Sequence, residues 1–434
     1  MEGLATGFAY RDGALMAEGV PLERIAAEVG TPVYVYAANA MRARYRALAE
    51  AFEGQDALVC YAVKANGNLA VLRLFADLGA GADAVSGGEV TRALRAGVPP
   101  ERIVYAGVAK TDDEIRLALE AGILQFNAES VAEVERLSAV ARGMGRMAPV
   151  ALRVNPDVSA GGHDKISTGR RGDKFGIAIE EAPAVFRHAD ALPGVRCRGV
   201  HLHVGSQIQD AAPLAAAYAK GVDLFRGLRA AGHGLDTLDL GGGIGVRYRD
   251  EAPFDLEGLA AVVARLTEGL GCRLLFEPGR FLVAEAGVLL SKVIFVKETD
   301  GRRFLVLDAG MQTLVRPAMY GAWHGVRPVV ERPDAGLLPT DVVGPICESS
   351  DVFGRDRMLP PLDRDDLVVL ETAGAYGAVM ASAYNSRVGV AEVLVDGDRF
   401  AVIRPPLSIE AQMAQERMPA WLEAGLEAGL GATA

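Results

Sequence analysis

Short apolar runs alternate with longer amphipathic segments from about residue 56 to about residue 280. Each run has the length of a buried strand, and the segment after it carries apolar residues at helical spacing. Regular alternation of strand and helix is typical of parallel strands joined by crossover helices, and about eight such units make a TIM barrel. The predicted strands are 58–63, 82–85, 103–106, 123–127, 149–154, 199–204, 236–240 and 273–276.

Three of the predicted helices share a start signal, a hydroxyl residue followed three positions later by glutamate. The hydroxyl can accept a hydrogen bond from the third N–H of the helix, and the carboxylate can return a bond to the cap residue. These pairs are Ser86 with Glu89, Thr111 with Glu114, and Ser130 with Glu133.

After about residue 280 the helical periodicity gives way to alternating apolar and polar positions, which predict an antiparallel β domain. The opening segment Phe8-Ala9-Tyr10, closed by a turn at Arg11-Asp12-Gly13, alternates in the same way and is expected to join it. We predict a surface loop over the Pro-rich segment 328–345. The predicted strands are Val288–Val296, Phe304–Leu307, Leu367–Leu370, Glu392–Val395 and Arg399–Ile403.

Length, composition, net charge and cysteine spacing limit the classes of protein to which this chain can belong. A chain of 434 residues with 50% hydrophobic residues is expected to form two or more domains with a substantial core. The net charge of −11 argues against nucleic-acid binding, which needs a basic surface. We expect no membrane span and no secretory signal. The four cysteines are scattered without metal-ligand spacing, which favours a reducing cytoplasm.

Ionisable residues and glycines gather at the predicted carboxyl ends of the barrel strands. In a TIM barrel these ends form one rim, where active sites lie. Packing alone does not explain so many ionisable groups at strand ends. The residues are Lys64, Asp83, Ser86, Arg153, Asn155, His201, His203, Gly241, Gly242, Gly243, Glu277 and Arg280.

Lys64 ends the first barrel strand and has two interpretations. Alternation places it on the same face as Leu58, Cys60 and Ala62. The amine either extends into water, or lies in a dry pocket with a lowered pKa and forms a Schiff base.

Other rim residues favour the second interpretation. The glycines at 241–243 suit a phosphate, because their N–H groups carry no side chain beside them, and Ser206 could add a donor. His203 lies nearer the rim than His201 and is the better ligand candidate. Glu277 either pairs with Arg280 or faces a protonated ring nitrogen. A phosphate site, a Schiff-base lysine and such an acid together specify pyridoxal phosphate (PLP).

The chain resembles the bacterial diaminopimelate decarboxylases, among the alanine-racemase-fold PLP enzymes that include ornithine and arginine decarboxylases. The resemblance covers roughly residues 7–415 and implies decarboxylation of meso-2,6-diaminopimelate to L-lysine and CO₂, the last step of lysine biosynthesis. It rests on the motifs YAVKAN (61–66), GADAVSGGE (81–89), ISTG…KFGI (166–177), HVGSQ (203–207), GGG (241–243), EPGR (277–280), RPAMY (316–320), CESSD (347–351), AGAYG (373–377) and YNSR (384–387).

The same resemblance implies an α/β fold with a PLP-binding TIM barrel at 32–282. A β-barrel or sandwich domain would be built from both chain ends, 1–31 and 283–434. It further implies a homodimer with active sites at the interface, in which the partner subunit supplies Cys347 and Glu348.

Residue roles are also carried over from the family motifs. Lys64 would form the Schiff base, Asp83 would contact the cofactor, and His203 would stack on its ring. Cys347 would be the proton donor. Ser206, Gly241, Gly242, Gly243 and Tyr376 would hold the phosphate, Glu277 the pyridine nitrogen, and Gly279 and Arg280 the cofactor; Arg280, Arg316, Tyr320, Glu348 and Tyr376 would contact substrate.

Several alternatives remain open. A decarboxylase for ornithine, D-lysine or arginine would need only an acidic partner for the distal amine, whereas diaminopimelate also needs a cation, which Arg316 beside Glu348 would supply. A racemase, a non-catalytic PLP-binding homologue and a phosphosugar-binding barrel fit less well. The chain departs from the family at Gln312-Thr313 and Gly161-Gly162, which could tune the pocket or the loop over it.

Overall fold

A computed structural model of the chain describes residues 4–159 and 175–422. The departure at Gly161-Gly162 and most of the motif at 166–177 lie outside the described residues. The helices are α1 (Leu22–Val29), α2 (Ala38–Ala51), α3 (Leu69–Asp77), α4 (Gly87–Arg95), α5 (Asp112–Ala121), α6 (Val131–Gly143), α7 (Ala182–Asp190), α8 (Ala211–Ala230), α9 (Leu256–Thr267), α10 (Arg280–Val283), α11 (Arg316–Tyr320) and α12 (Ile409–Met413).

Strands form two large sheets and one small one. They are β1 (Phe8–Arg11), β2 (Ala14–Ala17), β3 (Val20–Pro21), β4 (Val33–Ala37), β5 (Ala57–Ala62), β6 (Gly81–Ala84), β7 (Ile103–Tyr105), β8 (Gln125–Ala128), β9 (Ala148–Asn155), β10 (Ile177–Ala178), β11 (Val195–His201), β12 (Thr237–Asp239), β13 (Arg273–Phe276), β14 (Gly287–Thr299), β15 (Arg302–Leu307), β16 (Val326–Pro328), β17 (Leu338–Val343), β18 (Val352–Leu359), β19 (Leu367–Leu370), β20 (Ala391–Asp396) and β21 (Arg399–Arg404).

The first large sheet is a closed barrel of eight parallel strands. Its order is β5-β6-β7-β8-β9-β11-β12-β13, and β13 pairs with β5 to close the ring. Each predicted barrel strand overlaps one of these eight. Leu58 and Cys60 of β5 cluster with Val104 and Leu275 of other barrel strands, while Tyr61 packs on Phe75 of α3 outside the barrel. The predicted alternation and the predicted TIM barrel are confirmed.

Helix caps follow the prediction with one variation. Thr111 and Glu114 form the complete reciprocal capping box. Ser86 and Ser130 each accept the expected bond from the third N–H of their helix. Their glutamates, however, bond the N–H one residue ahead of the cap, at Val85 and Glu129. The helix starts are therefore fixed at the predicted positions.

The second large sheet runs β18-β17-β15-β14-β4-β20-β21, with β16 and β19 paired beside β14. It is mainly antiparallel, but β4 with β20 and β15 with β17 are parallel pairs. Residues 33–37 of β4 fall within the range expected for the barrel, yet they hydrogen-bond into this sheet. All five β4 residues are buried, so the strand is covered on both faces.

The prediction of a surface loop over 328–345 is wrong for its second half. Residues 338–343 form β17, which pairs with β15 and β18. Asp341 is buried within this strand and ion-paired with Arg302. Asp341 and Pro339 interrupt the apolar alternation that would predict a strand. The partner that allows Asp341 to be buried, Arg302, belongs to a strand that is distant in sequence.

The opening segment forms a small sheet, β1-β2-β3, that contacts the second domain. The Tyr10 hydroxyl donates to the carbonyl of Pro328 at 2.5 Å, and the Leu15 N–H donates to the carbonyl of Val329 at 2.7 Å. Among the described residues, no helix has the length and apolar character needed to cross a membrane.

Candidate active site

The barrel rim and the second domain enclose a cavity of about 460 Å³. It opens over the carboxyl ends of β5, β11, β12 and β13, where parallel strands present their last residues. Ten predicted site residues line it: Lys64, His203, Ser206, Gly243, Glu277, Gly279, Arg280, Arg316, Tyr320 and Tyr376.

Lys64 lies in a single 3₁₀ turn, Val63–Ala65, directly after β5. Its Nζ donates to Oδ2 of Asp83 at 2.9 Å, and Asp83 is completely buried at the end of β6. Burial lowers the pKa of Lys64, but the negative charge of Asp83 and other nearby acidic groups outweigh it and raise the pKa overall. The expected lowered pKa is therefore wrong for the cofactor-free chain, because the amine has a buried counter-ion.

Glu277 follows β13 and is held by two neutral groups. Asn127 Nδ2 donates to its Oε1 at 3.1 Å, and His201 Nε2 lies 3.2 Å from its Oε2. Burial, reinforced by Asp83, raises the pKa of Glu277 to about 8. Burial lowers the pKa of His201 to about 4, so this histidine is neutral. Of the alternatives for Glu277, the ion pair with Arg280 is not the one formed.

A second carboxyl group lies below Glu277 inside the barrel. Asn127 Nδ2 also donates to Oδ2 of Asp239 at 3.0 Å, so one amide bridges both acids. Burial, followed by the charge of Glu277, raises the pKa of Asp239 well above its ordinary value. Two buried carboxyl groups so close together cannot readily both ionise.

The glycines at 241–243 are required by close backbone approach. A Cβ at Gly241 would collide with the carbonyl of Leu202, and one at Gly242 with the carbonyl of Glu277. The N–H of Gly241 donates to Asp239, and that of Gly242 donates to His203 Nδ1 at 3.3 Å. The expectation that consecutive glycine N–H groups point to a ligand is therefore wrong for the first two, and Gly243 is the one that lines the cavity.

Arg280 and Arg316 meet at one hydroxyl. Arg280 donates to Tyr248 Oη at 2.7 Å and to Ser206 Oγ at 3.1 Å. Arg316 donates to the same Tyr248 oxygen at 2.9 Å. The Arg280 guanidinium also lies 4.8 Å from the ring centre of Tyr376. Two guanidinium groups therefore cluster around one tyrosine hydroxyl at one end of the cavity.

Tyr376 connects the second domain to the lysine turn. Its N–H donates to the carbonyl of Ala65 at 2.8 Å, and its φ of +56° is in the left-handed region. Such a conformation is costly for a non-glycine residue and persists only where surrounding contacts hold it. Gly279 packs beneath, since a Cβ there would lie 3.0 Å from the Cβ atoms of Ala62 and Ala65.

Cys347 and Glu348 are exposed and do not line the cavity of their own chain. Glu348 accepts a hydrogen bond from the Tyr384 hydroxyl at 2.6 Å. Asp351 fixes the loop by accepting from the N–H groups of Met311 and Ile346 at 2.6 and 2.7 Å. The loop is therefore ordered by its own contacts while its thiol faces outward.

Sequence reasoning missed Tyr248, Asn127 and His324. Asn127 lies in β8 and had the strand-end signal used for the other rim residues. Tyr248 lies well beyond its strand in a segment without periodicity, and His324 follows the short helix α11. No local pattern marks the last two.

A strand-end lysine, an opposing buried acid and a glycine-flanked pocket on a parallel barrel define a PLP-dependent barrel enzyme. The residues present fit the cofactor, because Lys64, Ser206 and Glu277 line one cavity that Gly243 and Gly279 border without side chains. Residues 38–284 match the family model of the pyridoxal binding domain of pyridoxal-dependent decarboxylases. The diaminopimelate decarboxylase of Pseudomonas aeruginosa is 49% identical over 95% of this chain and 99% of its own length. Within that class, the chain therefore belongs to the diaminopimelate decarboxylases.

Relatives of known name and structure are similar over nearly the whole chain. The diaminopimelate decarboxylase of Zymomonas mobilis is 48% identical over 96% of this chain and 99% of its own length. The crystal structure of diaminopimelate decarboxylase from Helicobacter pylori with L-lysine has a TM-score of 0.88 at 39% identity, covering 91% of this chain and 98% of that one. A lysine/ornithine decarboxylase from Vibrio vulnificus with putrescine has a TM-score of 0.77 at 25% identity, covering 87% and 97%.

Proposed function

We propose that this chain catalyses the PLP-dependent decarboxylation of meso-2,6-diaminopimelate to L-lysine and CO₂. One observation carries the proposal: Lys64, Glu277, Arg280 and Arg316 line a single cavity at the barrel rim. The first two suit the cofactor, and the two arginines suit a substrate with an additional carboxylate.

PLP, when bound, supplies an electron sink for the carbon that loses CO₂. Lys64 would hold it covalently, and Glu277 would carry the negative charge beside its ring nitrogen. His203 would pack on the ring, with its Nδ1 held by Gly242. Ser206, Gly243 and Tyr376 would hold the phosphate, with Arg280 adding charge through its bond to Ser206.

The Lys64 amine must lose a proton before it can act as a nucleophile. Asp83 Oδ2 is the acceptor within hydrogen-bond distance, at 2.9 Å from Nζ. Asp83 would therefore hold the lysine in position. The other oxygen, Oδ1, is buried without a partner among the described residues.

Arg316 and Tyr320 belong to the same short helix, α11, and both line the cavity. Arginine binds a carboxylate with two parallel hydrogen bonds. Arg316 would therefore hold the carboxylate that is retained in L-lysine. This recognition favours diaminopimelate over ornithine, arginine or another substrate lacking a second carboxylate.

Cys347 would return a proton to the reacting carbon, and Glu348 would bind the distal amine. Both are exposed on their own chain, which supports a homodimer in which each chain completes the partner's cavity. The four cysteines are free thiols, and we place the enzyme in the cytoplasm, where thiols stay reduced.

The activity is tested by offering the purified holoenzyme meso-diaminopimelate, L-lysine, D-lysine, ornithine and arginine separately. CO₂ release and the mass of the amine product are followed. We expect L-lysine from diaminopimelate and little turnover of the others. Preferential turnover of ornithine, D-lysine or arginine would contradict the proposal and favour the related basic amino-acid decarboxylases.

A further inference from the structure

The Tyr248 hydroxyl lies between two arginines at one end of the cavity. It is 2.7 Å from Arg280 Nη1 and 2.9 Å from Arg316 Nη1. A guanidinium group can only donate, so the tyrosine oxygen accepts in both bonds. Its acceptor capacity is then used, and its own proton is left to be donated.

Ring contacts fix where this hydroxyl sits. The Arg316 guanidinium lies 4.8 Å and that of Arg280 5.9 Å from the centre of the Tyr248 ring. His324 packs edge-on against the same ring at 5.5 Å and 84°. Because Tyr248 also lines the cavity, the remaining proton is available to an acceptor bound there.

His324 holds Arg316 from the other side. Arg316 Nη1 lies 3.1 Å from His324 Nε2, and His324 Nδ1 lies 2.8 Å from the carbonyl oxygen of Glu371. Since arginine only donates and a carbonyl only accepts, Nε2 is unprotonated and Nδ1 carries the hydrogen. The imidazole is therefore neutral, and burial with the charge of Arg316 lowers its pKa to about 3.

Both partners of Arg316 use the same nitrogen, Nη1. The Nε and Nη2 donors of the guanidinium are not consumed by these bonds. A carboxylate placed against Arg316 would thus meet the arginine fork and the Tyr248 hydroxyl together, a set of donors suited to that anion.

We infer that Tyr248 is a further substrate-binding residue, which donates its hydroxyl proton to the carboxylate that decarboxylation leaves in place, and that His324 positions Arg316 for the same carboxylate. The inference rests on the proposed function, because only a substrate with a retained carboxylate needs these donors.

Two ligands isolate the carboxylate. L-lysine has it, and cadaverine is the same diamine without it. Their dissociation constants are measured on the holoenzyme by titrating the cofactor absorbance. Tyr248→Phe should reduce the preference for L-lysine over cadaverine by about ten-fold or more, as expected for a lost hydrogen bond to a charged group. Tyr10→Phe, which removes a hydroxyl that donates to Pro328 and does not line the cavity, should leave the preference unchanged.

A pair of variants at His324 tests the positioning role independently. His324→Gln keeps an acceptor for Arg316, whereas His324→Leu removes it. We expect the leucine variant to lose most of the preference and the glutamine variant to retain more of it. Should Tyr248→Phe fail to hold the cofactor, this pair decides the matter, and equal preferences in both variants and the wild type would overturn the inference.

The outcomes separate the inference from the activity. A wild type that decarboxylates diaminopimelate, with an unchanged ligand preference in Tyr248→Phe, overturns the inference and leaves the proposed function standing. A wild type with no turnover of diaminopimelate and no preference for L-lysine overturns both.

Discussion

Lys64 is the residue proposed to bind PLP covalently, and a second lysine, Lys110, provides a control. Lys110 is likewise paired with an acid, Glu133, but its side chain is fully buried and it also donates to two backbone carbonyls. We predict that borohydride reduction of the holoenzyme fixes the pyridoxyl group on Lys64 and that Lys64→Ala removes both the label and the activity. Peptide mapping checks this, and a label on Lys110 would contradict it.

Glu277 should make the cofactor-free protein less stable as the pH rises. Its pKa is raised from 4.5 to about 8 by burial. Between these values the unfolded chain releases a proton that the folded chain retains, so the free energy of unfolding falls as the pH rises through the window. A cationic ring nitrogen beside Glu277 would oppose this effect in the holoenzyme.

Urea unfolding of the apoprotein from about pH 5 to about pH 8 measures this dependence. We predict that the wild type loses stability relative to Glu277→Gln across the range. His201, whose pKa is lowered to about 4, is present in both proteins, so its own titration largely cancels in the comparison. A constant difference between the two proteins would show that Glu277 ionises freely.

At the scale of elements, the glycine turn after β12 joins the barrel rim to the cofactor site. An added Cβ at Gly242 would displace the backbone carbonyl of Glu277, so the turn and the acid would shift together. We predict that Gly242→Ala weakens PLP binding by about ten-fold or more, since a buried backbone clash is not relieved cheaply. Equilibrium dialysis of the cofactor measures it.

Gly234→Ala is the matched control, because a Cβ at Gly234 would meet no atom within 4 Å. Gly234 lies in the loop before β12, at the end of the strand opposite the rim. It should bind the cofactor as the wild type does. Equal affinities in both alanine variants would mean that the turn does not determine the pocket.

Much of the element order could be predicted from sequence, because each barrel strand and helix start depends on local patterns. Strand β5 alternates correctly, and Thr111 caps α5 as its spacing indicates. The strand β17 could not be predicted, because its buried Asp341 is neutralised by Arg302 of another strand. Propensity does not include such distant partners.

The candidate site likewise contains residues marked by a local sequence pattern and residues that only distant contacts bring together. Lys64 and Glu277 were marked by their positions at strand ends, which are local features. Tyr248 accepts a hydrogen bond from Arg316 across the domain boundary, and His324 is joined to Arg316 within the second domain, so both belong to the site through contacts that are distant in sequence or unmarked by any local pattern. The pKa of Lys64 depended on a buried counter-ion from a neighbouring strand, Asp83, which the sequence pattern of β5 alone does not contain.

On the scale of the whole molecule, the proposed homodimer assembles each active site from two chains. The cavity is lined by residues from Ala62 to Met380 of one chain, while Cys347 and Glu348 face outward from that chain. A thiol so placed can serve a site only if another surface is brought against it. The proposed homodimer does this in both directions through one two-fold axis.

Subunit complementation tests whether the two chains share their sites. Lys64→Ala and Cys347→Ala are mixed under conditions that exchange subunits, and L-lysine formation from diaminopimelate is measured. Lys64→Ala mixed with the double variant Lys64→Ala/Cys347→Ala is the control, since none of its sites can contain both residues. If sites are shared, a mixed dimer has one complete site, and random exchange restores up to about a quarter of wild-type activity. No recovery despite verified exchange would contradict the shared site.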